Sequence, residues 1–318
     1  MSNKKILYIA ITFDTDSDPA SNLDQRDKKV LGWKSLKKLS LIRKSINNLE
    51  KKIKKTIPIS WFVRCDNQIK HYYGDSCWLL KKYENFWNKE IKKNSELQWH
   101  AHLYKLVNNK WVFNDDLKKI EIELKNNFNK MKKYFTPKCI RIGEAYMNNK
   151  LMKIIKKIGL KADSSAIPGR KRDDKEKYFN WIGTPNTPYF PSSINYRHKN
   201  KTDKKPNFFE IPMNTILIKA PYDKKPIKRY INLSFWPNLV NKNLKEYFLK
   251  QKYLVSITHP YEVLSSFGNN KNNKLISFRL DSLTKNIENF IHLSKKLNYE
   301  IKFITISDMI NELKKNEF

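Results

Sequence analysis

Seven residues of this 318-residue chain have the types, and the places in the sequence, to do chemistry together. Asp14 and Asp16 stand as Asp-x-Asp after an apolar run. His100 and His102 stand in WHAHLY, Arg141 in IRIGEAY, Asp163 in KADSSA and His259 in ITHPYE. A carboxylate and imidazoles suit a divalent transition ion, zinc above all. Three protein ligands leave a position for water, whose pKa the ion lowers while it polarises a carbonyl. A second carboxylate takes the water's proton, and an independent histidine protonates a departing amine. This is equipment for metal-assisted hydrolysis of an amide or ester. Singly, each residue says little: an Asp after a strand is commonly a turn former or helix cap, and a lone His is more often a core or surface residue. Their weight comes from where they recur.

Each follows a short extended run. Ile6–Phe13 is almost wholly apolar, as a strand buried on both faces should be. PISWFV (58–63), Glu96–Leu103, Lys138–Ile142, Leu160–Ser164, Phe208–Ile211, Tyr253–Thr258 and Ile301–Ile306 read as further strands. Between them lie helical periods: Leu36, Leu39, Ile42, Ile46, Leu49 and Ile53 form one stripe, and Leu117, Ile120, Leu124, Phe128 and Met131 another. Leu151 to Ile158 and Leu283 to Leu297 carry two more. Asn114, Asp115 or Asp116 can cap the second helix, Asn148 or Asn149 the third, and Ser307 a short terminal one. Gly159 suits a left-handed helix end. Positions 169–205 are rich in Pro, Asn and Lys without a period and read as a long irregular insertion. Strand–helix alternation implies a parallel sheet with crossover helices. No Gly-rich phosphate loop follows the first strand, which weighs against a dinucleotide-binding sheet. A closed or nearly closed β/α barrel over residues 1–318, as a single domain, puts the functional residues at the C-terminal strand ends, where such barrels keep their active sites.

The balance of 64 Lys plus Arg against 31 Asp plus Glu is a formal +33. The lysines are spread over the whole chain, and Lys, Asn and Ile are used heavily throughout. Compositional drift accounts for this better than a dedicated nucleic-acid site, although an acidic glycan substrate is compatible with it. Three cysteines without CxxC argue for neither a disulfide framework nor a Cys-rich zinc site. The apolar run after Lys4 and Lys5 is too short for a signal peptide, and no stretch approaches the ~18 residues that cross a bilayer. A cytoplasmic location without a transmembrane segment is the expectation.

TFDTD, WHAHLY, IRIGEAY, ADSSA and THPYE, together with IGLKADSSAIPG and FFEIPM, come in the order of the motifs of the polysaccharide deacetylases, the NodB-homology or carbohydrate esterase family 4 proteins, which this chain resembles from about Ile6 to His259. The resemblance implies a distorted, often seven-stranded (β/α) barrel and removal of acetyl groups from glycans. It implies Asp14 as general base, Asp16 and His100 as metal ligands and Arg141 as the arginine that orients the base. His259 matches the general acid, and Asp163 the acid that steadies it. Two departures stand out. The family's second histidine comes four residues after the first, where this chain has Tyr104, and the arginine motif has Ile142-Gly143 in place of its common proline.

Residues two apart on a strand point to the same side, with α carbons about 6.5 to 7 Å apart. His100 and His102 can therefore converge on one ion, so Asp16, His100 and His102 are the expected metal ligands, with Tyr104 nearby as a hydrogen-bond donor. Arg64, Asp66 and Gln68 should line the same barrel mouth, or be solvated loop residues. Glu144 and Glu262 can enter the site or form salt bridges. Trp33, Trp61, Trp99, Trp181 and Trp236 can stack on sugars but commonly belong to cores. His71, His198 and His292 read as surface residues. The leading expectation is a Zn²⁺-dependent deacetylase acting on an acylated amino sugar or oligosaccharide, with no specific nucleic acid. Its rivals are a metal hydrolase of non-sugar amides, a silent carbohydrate-binding barrel and, on charge alone, a polyanion binder.

Overall fold

In the computed structural model, which describes residues 4–18, 32–173, 178–200, 207–264 and 275–316, the apolar runs form one parallel sheet. Its strands are β1 (Lys5–Asp14), β2 (Ile59–Arg64), β3 (Glu96–Ala101), β4 (Cys139–Ile142), β5 (Ala162–Asp163), β6 (Phe209–Glu210), β7 (Tyr253–Thr258) and β8 (Tyr299–Phe303). Seven follow one another in the order β6-β5-β4-β3-β2-β1-β7, and β8 joins β1. β1 is ten residues long and serves two strands on one edge: Lys5–Ile9 pairs with β8 and Ile11–Asp14 with β2. β7 pairs with its other edge.

The sheet curls, and its rim strands β6 and β7 share no ladder. Buried backbone groups there still need partners, and Asn214 supplies them. Its amide donates to the Val255 carbonyl at 3.3 Å, its Oδ1 accepts from the Val255 amide, and its own carbonyl accepts from Ile231 at 2.8 Å. The result is the distorted (β/α) barrel expected from the sequence.

Strand alternation divides the residues between two faces. Leu7, Ile9, Ile11 and Phe13 of β1 belong to the large core with the helices, while Tyr8 and Ala10 belong to a second core with Phe62, Cys139, Ala162, Phe209, Tyr253 and Val255. That second core is the barrel interior. Ile306, Met309, Ile310 and Leu313 of the terminal helix (Ile306–Asn316) join it. Thr12 and Asp14 continue the inner set of β1, as His100 does on β3, Arg141 on β4 and, one step past β7, His259.

Helix Leu39–Ile53 buries Leu39, Ile42, Ile46 and Leu49. Asp116 caps helix Leu117–Met131 by accepting from the amides of Lys118 and Lys119. Asn148 caps helix Asn149–Lys157, and Gly159 beyond it has φ +104°. The terminal helix departs from expectation. Thr305 and Asp308 form a reciprocal capping box at its start, while Ser307 instead accepts from Gln98 at 3.1 Å.

The stretch 169–205 is less irregular than its composition suggests. Lys171–Asp173 pairs antiparallel with Tyr178–Asn180, and Tyr189 bridges to Glu210 of β6. Positions 174–177 and 201–206 lie outside the described residues. Helix Pro237–Lys250 and the hairpins Tyr104–Val107/Lys110–Phe113 and Thr215–Ile218/Ile227–Tyr230 are additions that the hydrophobic periods do not signal. Among the described residues, no helix is long and apolar enough to cross a membrane.

Candidate active site and metal centre

Asp14 ends β1 and Asp16 follows in a tight turn, its amide donating to the Asp14 carbonyl at 2.9 Å. The two carboxylates have different partners. Arg141, on the inner face of β4, donates Nη1 to Asp14 Oδ1 at 2.5 Å and to Thr12 Oγ1 at 3.0 Å. Its Nε and Nη2 are held by the Ser164 carbonyl and hydroxyl, both at 3.0 Å, and its guanidinium lies 3.9 Å over the Phe62 ring. Asp14 is thereby oriented and charge-compensated in a buried place.

Asp16 meets the histidines. His102 Nε2 is 3.1 Å from Asp16 Oδ1 and 3.1 Å from His100 Nε2, and His100 Nε2 is 3.5 Å from Asp16 Oδ2. These donor atoms lie within 4.8 Å of one another, all on buried residues. Ligands about 2.0–2.1 Å from a tetrahedral zinc stand roughly 3.3 Å apart, so the spacings fit a small divalent ion. His100 Nδ1 lies 2.8 Å from the Arg141 carbonyl, which places the ring proton there and leaves Nε2 as the atom able to ligate an ion. His102 Nδ1 has no such partner among the described residues. Burial raises the Asp16 pKa, but His102 and His100 outweigh it and hold the carboxyl well below its usual range. Burial and then Arg64 push His102 down, favouring the neutral imidazole that binds metals.

Arg64, Asp66 and Gln68 neither line the cavity nor sit in solvent. All three are fully buried beneath the cluster. Arg64 donates Nε to Asp66 at 2.7 Å, Nη1 to Asp16 Oδ1 at 3.4 Å and Nη2 to Gln68. Asp66 also accepts from the His102 amide at 3.2 Å. The network thus braces both Asp16 and the chain that carries His102. Tyr104 donates to Glu144 Oε1 at 2.9 Å and its ring stands 5.1 Å from that of His102. Glu144 and Ala145 both have positive φ, 58° and 54°, in the cavity wall. Such backbone is costly without glycine and tends to persist at functional sites.

His259 follows β7, with Nε2 3.7 Å from Asp16 Oδ2 and Nδ1 3.3 Å from Glu262 Oε2. Glu262 is buried and anchored, accepting from the His259 amide at 2.8 Å and from Asn232 Nδ2 at 2.9 Å. Burial alone would push the imidazole down. Glu262, then Asp16 and Asp14, prevail and raise it to about 9.

Asp163 does not steady His259. Ala162 faces the barrel interior, so Asp163, the next residue of the strand, is out of step with the inner set. Its carboxylate accepts from the amide and hydroxyl of Ser165 at 3.1 and 2.6 Å and packs beside Glu210, its register partner. Burial and then Asp163 push Glu210 far up, and neither acid lines the cavity. Glu262 holds the place beside His259; its spacing of three from the histidine, on the helical turn Pro260–Leu264, is the signal in the sequence that could have pointed to it.

Asp14, Asp16, His100, His102, Arg141, His259 and Glu262 line one cavity of about 450 Å³. Trp61, Trp99 and Trp181 are fully buried and Trp33 nearly so, and none of the five tryptophans lines it. His71, His198 and His292 are exposed.

No family model and no curated protein sequence matches this chain. Solved structures do share its fold. One is a protein of Parabacteroides distasonis provisionally named a glycoside hydrolase/deacetylase, with a TM-score of 0.63 at 10% identity over 98% of this chain and 71% of the other. Another, of Mycobacterium smegmatis, is provisionally named a polysaccharide deacetylase, with a TM-score of 0.52 at 11% identity over 100% of this chain and 93% of the other. The architecture is therefore the distorted barrel of the glycoside hydrolase/deacetylase type.

Proposed function

We propose that this chain is a divergent polysaccharide deacetylase, a metal-dependent hydrolase that removes the acyl group from an acylated amino sugar. One observation carries the reading. Three donor atoms converge at metal-ligand spacing in a cavity that also holds an Arg-clamped carboxylate and a histidine with its own acid partner. The provisional names of the two proteins that share the fold agree with it.

Asp16, His100 and His102 would hold the ion, and their donor set favours Zn²⁺. When bound, the ion supplies Lewis acidity that acidifies water and polarises the acyl carbonyl. Asp14 accepts the proton of the attacking water, and Arg141 keeps its carboxylate aimed. The water oxygen bonds to the acyl carbon and the C–N bond breaks. His259 Nε2 gives its proton to the departing nitrogen, and Glu262 keeps that imidazole charged until then.

The test is elemental analysis of the purified protein beside acetate release from acetylated sugars, nucleotide sugars and oligosaccharides. One zinc per chain with acetate release is expected. Metal-replete protein that binds sugars but releases no acetate would make it a silent carbohydrate-binding barrel.

A further inference from the structure

The cavity that holds the acid, base and metal ligands is also lined by Arg170 and Arg172. They stand two apart on one side of the hairpin Lys171–Asp173/Tyr178–Asn180, where Arg172 pairs with Phe179, which lines the cavity too. Arg170 donates Nη1 to the Lys228 carbonyl at 2.8 Å. A guanidinium has five N–H donors, and among the described residues no carboxylate lies within ion-pair distance of this one. The neighbouring acids are engaged elsewhere: Asp223 with Arg229 at 2.9 Å, Asp14 with Arg141, Glu262 with His259 and Glu144 with Tyr104. Burial, then the charges of Arg229 and Arg172, push Arg170 below its ordinary value, which marks a local excess of positive charge.

The composition sharpens the point. Only nine of the 64 basic residues are arginine. In so lysine-rich a chain, positive charge alone is met by lysine. Several of the arginines use their planar fork, as Arg43 does on Glu90 at 2.8 and 2.7 Å and Arg229 on Asp223. Arg170, in a cavity wall with its fork mostly unspent, is placed to grip an oxyanion that comes with the substrate.

Resting on the deacetylase reading, we propose that the substrate is an anionic acylamino sugar, bearing a phosphoryl or carboxylate group that Arg170 binds at the cavity wall. The test is calorimetric titration of the zinc-loaded full-length protein with three ligands: neutral N-acetylglucosamine, its phosphate monoester and an N-acetylamino uronate. Acetate release is measured in parallel. Wild-type protein is expected to bind at least one charged ligand about 10- to 100-fold more tightly than the neutral one, the scale of a charge-assisted hydrogen bond. The two charged arms tell phosphoryl from carboxylate recognition. Arg170→Gln should erase that preference with its zinc content unchanged, and Arg170→Lys should keep part of it. Equal affinities in the wild type, or a preference that survives Arg170→Gln, overturns the proposal. Acetate release with equal affinities would sink this inference alone, and selective binding without release would sink the hydrolase reading alone.

Discussion

The imidazole of His102 occupies the space that a side chain at position 143 would need. A Cβ on Gly143 would stand 2.7 Å from three atoms of that ring. The two departures of this chain from the deacetylase motifs are thus one structural fact. The His102 ring reaches Asp16 and His100 through space left open by a glycine, where the arginine motif commonly carries a proline. Gly143→Ala should push the ring aside and weaken zinc binding about 10-fold or more. Equilibrium dialysis measures it, and unchanged affinity with normal far-UV circular dichroism would break the link.

His102→Ala should lose zinc, while Tyr104→Phe, which deletes only a hydroxyl bonded to Glu144, should keep it. Metal loss in the tyrosine variant together with retention in the histidine variant would make the phenol the third ligand.

Asp14→Asn should retain zinc, since the proposed ligand next to it is Asp16, and lose turnover by roughly 100-fold or more, the scale of general-base catalysis. Near-normal acetate release by this variant would remove Asp14 from the role of base.

The pH profile separates Glu262 from Asp163. As the proposed general acid, His259 would act in its protonated form, so turnover should fall as pH rises through its pKa, raised to about 9. Glu262→Gln removes the nearest negative charge, lowers that pKa and should move the basic limb to lower pH. Asp163→Asn should leave the limb where it is, because its carboxylate faces Ser165 and Glu210. A shift in Asp163→Asn with none in Glu262→Gln would reverse the assignment.

Much of this was legible in the sequence. Short apolar runs mark β1, β2, β3 and β7 to within a few residues, since a strand buried on both faces is apolar along its length. The capping residues Asp116 and Asn148 are readable because a cap bonds within three residues of itself. The hairpin at 171–180 and the helix from Pro237 escaped. The hairpin's strands, Lys171–Asp173 and Tyr178–Asn180, are three residues each, too short to build a period, and the helix has a stripe broken by polar residues.

What the sequence by itself determined is that the acids, imidazoles and arginine stand at the C-terminal ends of successive parallel strands, and that His100 and His102 share a side. Those are properties of the local repeat, written in neighbouring residues. Tertiary structure alone decided that Asp163 is one step out of phase with the barrel interior, with its carboxylate on Ser165 and beside Glu210. It also decided that Arg64 and Asp66 brace the cluster from below, and that Gly143 makes room for the His102 ring. Each of these depends on register and curl between strands far apart in the chain, and no local pattern carries the distance between a residue and one 40 or 100 positions away.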